Sequence, residues 1–134
     1  VTDNLKKIRW QQRFQNFDKA FTELTSAVNQ KKLSKLERSG LIKTFEFSFE
    51  LAWKSLKDFL ESEGIDAATP REVIKQGFQK GFIEEGELWL DALEKRNLLT
   101  HTYDEVLAKK AELLIRDIFF QLLVKFHNQF KEKL

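Results

Sequence analysis

Apolar residues recur at helical spacing from the start of the chain. Trp10, Phe14, Phe17, Phe21, Leu24 and Val28 follow one another at intervals of 4, 3, 4, 3 and 4. That stripe is one face of an amphipathic helix, here predicted from about residue 3 to 30. Residues 30–34, Gln-Lys-Lys-Leu-Ser, read as a connection. The next segment, 36–63, holds two competing periods. Phe45-Glu46-Phe47-Ser48-Phe49-Glu50-Leu51 alternates like a strand, while Ile42, Phe45, Phe49, Trp53, Leu56 and Leu60 keep helical spacing over a longer window. The longer window favours helix, and Gly64 supplies its stop. Phe47 and Leu51 then lie on a second apolar face. Such a helix is either central in its bundle or covered in part by another subunit, and we expect a homodimer or larger homo-oligomer.

Thr69-Pro70-Arg71-Glu72 is a helix start: an N-cap Thr, Pro in the first turn, and Glu where a capping box places it. A short helix to about Gly81 is expected, with Val73, Ile74 and Phe78 inward. Another runs from about 84 to 97 with Leu88, Trp89, Ala92 and Leu93 inward. The last begins near Thr102-Tyr103-Asp104-Glu105, a second Thr-x-x-Glu pattern. It continues to Phe130 through Val106, Leu107, Ala111, Leu114, Ile115, Ile118, Phe119, Leu122 and Phe126. Three long helices and two shorter ones predict an all-α, up-and-down bundle of four-helix type with a short extra helix, one domain over 1–134.

Composition agrees. Thirteen Phe and three Trp supply a core, and one Pro with five Gly leaves little chain for loops. The absence of Cys excludes disulfides, thiolate metal sites and a Cys nucleophile. No apolar run approaches the roughly 18 residues of a membrane span, so no membrane partner and a cytoplasmic location are expected. A net charge of +2 from 23 basic and 21 acidic residues is too balanced for a dedicated duplex-DNA binder.

Candidate chemistry is concentrated in Arg96-Asn97-Leu98-Leu99-Thr100-His101-Thr102-Tyr103. Arg offers a planar, permanently charged fork for phosphate. His moves a proton near neutral pH. Together they suffice for RNA cleavage without a metal: His101 acting on the 2′-hydroxyl or the leaving 5′-oxygen, Arg96 holding the phosphate. On an unbroken helix these two side chains diverge by roughly 140°. A helix ending near Leu98 and restarting near Thr102 would let His101 turn back beside Arg96. By itself the pattern reads more simply as a helix-end cap. No metal ligands and no cofactor are expected. His127, late in the last helix, reads as a half-exposed helical His, and Glu50 with Lys54 as a surface i,i+4 pair.

The segment Arg96-Asn97-x-x-x-His101-x-Tyr103, with the aromatic helix Phe45 to Lys54 and the Thr69-Pro70-Arg71-Glu72 start, resembles the nucleotidyltransferase substrate-binding protein family. That family is a branch of the HEPN superfamily of helical nucleotide-binding domains. The resemblance covers nearly the whole chain. It implies a HEPN-like bundle and a separate minimal nucleotidyltransferase subunit as partner, this chain being the substrate-binding half of a two-component enzyme. Related pairs act as toxin–antitoxin modules, in which the HEPN member is a dimeric, metal-independent ribonuclease. The resemblance then implies Arg96 and His101 as the catalytic pair and Asn97 and Tyr103 as substrate-binding neighbours. Tyr103 is also the implied site of silencing by AMP addition, and RNA or a nucleotide the implied ligand. Glu46 and Glu50 are expected to line the interface rather than carry chemistry.

Overall fold

The computed structural model describes the backbone of residues 2–99 and 104–134, and side chains at 4–96 and from 104 onward. Every regular element among these residues is helical. Helix α1 spans Thr2–Val28, α2 Lys35–Ser62, α3 Pro70–Gln79 and α4 Gly86–Leu99. Helix α5, Glu105–Leu114, runs through a π-helical turn, Ile115–Phe119, into α6, Phe120–Lys131.

Local sequence sets most boundaries. Ser34 and Glu37 exchange backbone and side-chain hydrogen bonds in a full capping box ahead of α2. Thr69 Oγ1 accepts from the Glu72 N–H at 3.2 Å, with Pro70 in the first turn of α3. Glu72 departs from the expected box by reaching one residue further back, to the Ala68 N–H. Both α2 and α3 end on a glycine in the left-handed region, Gly64 at φ 79° and Gly81 at φ 78°. In each, the N–H after the glycine bonds a carbonyl five residues back, Ile65 to Leu60 and Phe82 to Gly77, which is the Schellman stop.

The pairings give the topology. Trp10 packs edge-on to Phe59, and Arg13 bonds Asp58 at 3.0 Å, so α1 and α2 are antiparallel. Phe14 meets Phe126 and Phe21 meets Phe120, so α6 runs back along α1. Phe82 touches Phe59 while Trp89 touches Phe49, so α4 is antiparallel to α2. The body is therefore an up-and-down four-helix bundle of α1, α2, α4 and α5–α6, with α3 as the short extra helix. Helix α2 contacts all the others. Its central place accounts for its two apolar faces: Leu51 packs against the core. Phe47 does not, and stays 62% exposed.

The aromatic side chains fill the centre. Phe14, Phe17, Phe45, Phe49, Trp89, Phe119, Phe126 and Phe130 are all essentially buried. The buried hydroxyls of Ser48 and Ser55 donate to carbonyls one turn back, leaving no unsatisfied buried side-chain polar atom among the described residues.

Several assignments need correction. Phe78 is exposed, and Gly77 faces inward in its place. A Cβ on Gly77 would come within 2.9 Å of a Leu56 methyl, so the buried Leu56 side chain fills the space that a side chain there would need. The N-cap of α5 is Asp104, whose carboxylate accepts from the Val106 N–H, and Thr102 lies outside the described residues. Val106, Leu107 and Ile118 point outward. The expected Ala111, Ile115, Phe119, Leu122, Phe126 and Phe130 are buried, with Ala108 added at the start of the stripe. The π turn at Ile115–Phe119 lies within this stripe, whose 3- and 4-residue steps run on through it.

Arg116, inside that turn, donates to the carbonyls of Val28 at 2.6 Å and Gln30 at 2.7 Å. It thus satisfies acceptors at the C-terminal end of α1 with a cation, as the helix dipole favours. Glu112 bridges Arg116 and Arg38 at 2.8 and 2.7 Å, and Arg38 also pairs with Glu105 and reaches the Leu33 carbonyl. This network ties the α1–α2 connection to the first turns of α5.

Candidate functional site

Arg96 lies in the last turns of α4, and Glu50 mid-way along α2. The antiparallel packing of the two helices brings Arg96 Nη1 to 2.5 Å from Glu50 Oε2. Glu50 is held from its own helix as well: the Trp53 indole N–H donates to Oε2 at 3.1 Å, and Lys54 Nζ sits 3.4 Å from Oε1. The expected Glu50–Lys54 pair is present, but the stronger partner comes from α4. The Arg96 side chain is 23% exposed and that of Glu50 35%, so both reach water at the lip of the bundle.

That lip is an open cleft of about 490 Å³ lined by Glu23, Lys43, Thr44, Glu46, Phe47, Glu50 and Arg96. Partial burial pushes the Glu46 carboxyl above its ordinary range, against the downward pull of the Lys43 and Arg96 charges. Three carboxylates, Glu23, Glu46 and Glu50, and two cations, Lys43 and Arg96, therefore share this lip with the exposed Phe47 ring. Such a mixed, wettable cleft suits a ligand carrying both charge and a flat apolar face. Arg96 also lines a second cleft with Thr69, Pro70, Arg71, Leu93 and Glu94, beside the start of α3.

Of the residues singled out from sequence, Arg96 is placed at this cleft. The Asn97 side chain, His101 and Tyr103 lie outside the described residues. Helix α5 begins afresh at Glu105, after Asp104 in extended backbone (φ −88°, ψ 124°), and residues 100–103, where the break is expected, lie outside the described residues. Glu46 and Glu50 both line the cleft, whereas Lys43 and Glu23 carried no sequence signal. The tie between Arg96 and Glu50 spans 46 positions. Only the aromatic helix around Glu50 hinted at it.

His127 is more involved than a surface helical residue. Its side chain is 14% exposed, its Nε2 lies 2.5 Å from Asp18 Oδ1, and its ring stacks on Phe21 with centroids 4.7 Å apart. It pins α6 to α1. No helix among the described residues is long and apolar enough to cross a membrane.

Comparison with known proteins bears on this arrangement. The chain is 28% identical over 102 residues to a protein of Haemophilus influenzae named as a probable ribonuclease HepT, covering 69% of this chain and 70% of that one. A crystal structure of a Thermus thermophilus protein superposes with a TM-score of 0.79 at 30% identity, over 86% of this chain and 98% of the other. Residues 12–132 match the family described as nucleotidyltransferase substrate binding protein like, and a match spanning nearly all of the bundle, cleft included, means that the chain belongs to that family.

Proposed function

We propose that this chain is the HEPN-type, substrate-binding subunit of a two-component nucleotidyltransferase, working with a separate minimal nucleotidyltransferase in a toxin–antitoxin-like pair. The observation that carries the reading is the family match over residues 12–132, which takes in the whole Arg96 cleft. In this reading residues 1–134 act as one cytoplasmic helical unit, and the partner supplies the chemistry of nucleotide transfer. Co-expression with the minimal nucleotidyltransferase encoded beside it tests the pairing. A complex that survives size-exclusion chromatography is expected; two separate peaks at micromolar concentration would remove it.

A second reading is favoured by the Haemophilus relative's name and by the half-buried, carboxylate-held Arg96. The chain cleaves RNA without a metal as a homodimer. Arg96 neutralises the phosphate while the 2′-oxygen attacks phosphorus and the bond to the 5′-oxygen breaks. His101 takes the 2′-hydroxyl proton or returns one to the 5′-oxygen, and Asn97 and Tyr103 position the strand. Attack of the Tyr103 phenol on the α-phosphorus of ATP, catalysed by the partner and releasing pyrophosphate, places AMP beside the cleft and silences it. Cleavage that persists in EDTA and is lost in His101→Ala is the expected result. After co-expression with the partner, Tyr103 should gain the mass of AMP. A wild-type chain that leaves single-stranded RNA intact rules this reading out.

A further inference from the structure

The Arg96–Glu50 contact is more than a surface ion pair. Glu50 Oε2 accepts from two donors at once, Arg96 Nη1 at 2.5 Å and Trp53 Nε1 at 3.1 Å. Trp53 is 7% exposed and sits on the same turn of the central helix, so its indole N–H is a fixed donor. Lys54 steadies the other oxygen at 3.4 Å. The carboxylate is therefore oriented before any ligand arrives, and it engages a terminal nitrogen of a guanidinium that carries five N–H donors. A guanidinium gripped at one terminal nitrogen keeps further donors with which to face a phosphate.

We propose that Glu50 is the positioning residue for Arg96: braced by Trp53, it fixes the guanidinium at the cleft mouth in the orientation that receives the scissile phosphate of RNA. This rests on the ribonuclease reading above. Misplacing a phosphate-holding group by about an ångström costs on the order of a hundredfold in rate. Removing a negative charge beside the cleft, by contrast, does not weaken attraction for a polyanion. The two effects separate kcat from KM.

The test uses the full chain, a fluorescent single-stranded RNA oligonucleotide and excess EDTA. Glu50→Ala is expected to lower kcat by roughly tenfold to a hundredfold while KM stays level or falls. Glu50→Gln, whose amide oxygen still accepts from Arg96 and Trp53, should recover most of that loss. Trp53→Phe keeps the ring and removes the donor, so it should lower kcat by a smaller factor, with no added loss in the double variant Glu50→Ala/Trp53→Phe. If Glu50→Ala fails to fold, Glu50→Gln and Trp53→Phe still carry the comparison with wild type. Wild-type kcat in Glu50→Ala, a KM rise matching the kcat loss, or losses that multiply in the double variant overturns the proposal while leaving the ribonuclease reading standing. A wild-type chain without RNA cleavage overturns both.

Discussion

Single residues show how far environment overrides type. Glu46 and Glu112 are both carboxylates on helix faces, yet they are shifted in opposite directions. Burial pushes Glu46 up, and Lys43 and Arg96 recover only part of that. Burial also raises Glu112, but hydrogen bonds from Arg38 and Arg116 outweigh it and hold the carboxyl below the usual 4.5. For Glu46 the sign is unfavourable at neutral pH. A carboxyl raised on folding contributes stability below its unfolded value and loses it as pH rises through the folded one. Glu46→Gln is therefore expected to leave the melting midpoint at pH 7 unchanged or raise it by about 2 °C at most. Differential scanning fluorimetry at pH 7 checks this; a clear fall would mean that the charge of Glu46 is needed in the fold.

Elements are set by their ends as much as by their faces. Thr69 is half of the cap that starts α3, and α3 brings Gly77 against Leu56 and leads through Gly81 into α4, which carries Arg96. Thr69→Ala leaves the Glu72 N–H to water and should cost about 1 kcal/mol in urea unfolding, without a change in slope. A loss of under a few tenths of that would show that Pro70 and packing alone fix the start. The last rod makes the complementary point. Asp104 caps its start, yet packing decides which face is covered: Ala108, Ala111 and Ile115 are buried while Val106 and Leu107 are exposed.

At the scale of the molecule, two features stand out. The Arg38–Glu112–Arg116 network joins three helices and the α1–α2 connection. Because the Glu112 carboxyl is held low in the folded state, its contribution is complete above the unfolded value and disappears as pH falls through the folded one. The wild-type midpoint should thus drop as pH falls through and below the ordinary carboxylate range, and Glu112→Gln, less stable at pH 7, should converge on wild type at the acid end. Parallel curves across that range would discount the network. The second feature is Phe47, 62% exposed on the rim of the Arg96 cleft. A second copy seated over this ring would bring another cleft face to face with the first. Under the homodimer proposed above, Phe47→Glu is expected to give monomers in sedimentation velocity; an unchanged sedimentation coefficient would place any subunit contact elsewhere.

Sequence alone determined the bundle. Helical spacing in α1 and α2, the cap at Thr69 and the stops at Gly64 and Gly81 are encoded within a few residues of where they act, because backbone hydrogen bonds and steric limits are local. The strand-like stretch from Phe45 to Leu51 resolved to helix for the same reason, its wider period winning. Tertiary structure decided the rest. Which of two apolar faces of α2 is covered depends on five partners, and Leu51 was enclosed while Phe47 was not. That Phe78 yields its place to Gly77 follows from how closely α3 approaches Leu56. The meeting of Arg96 with Glu50, 46 positions away, has no sequence period at all. It exists because antiparallel packing sets the two helices side by side, and a short charged contact at the edge of a core is a property of that packing rather than of either segment.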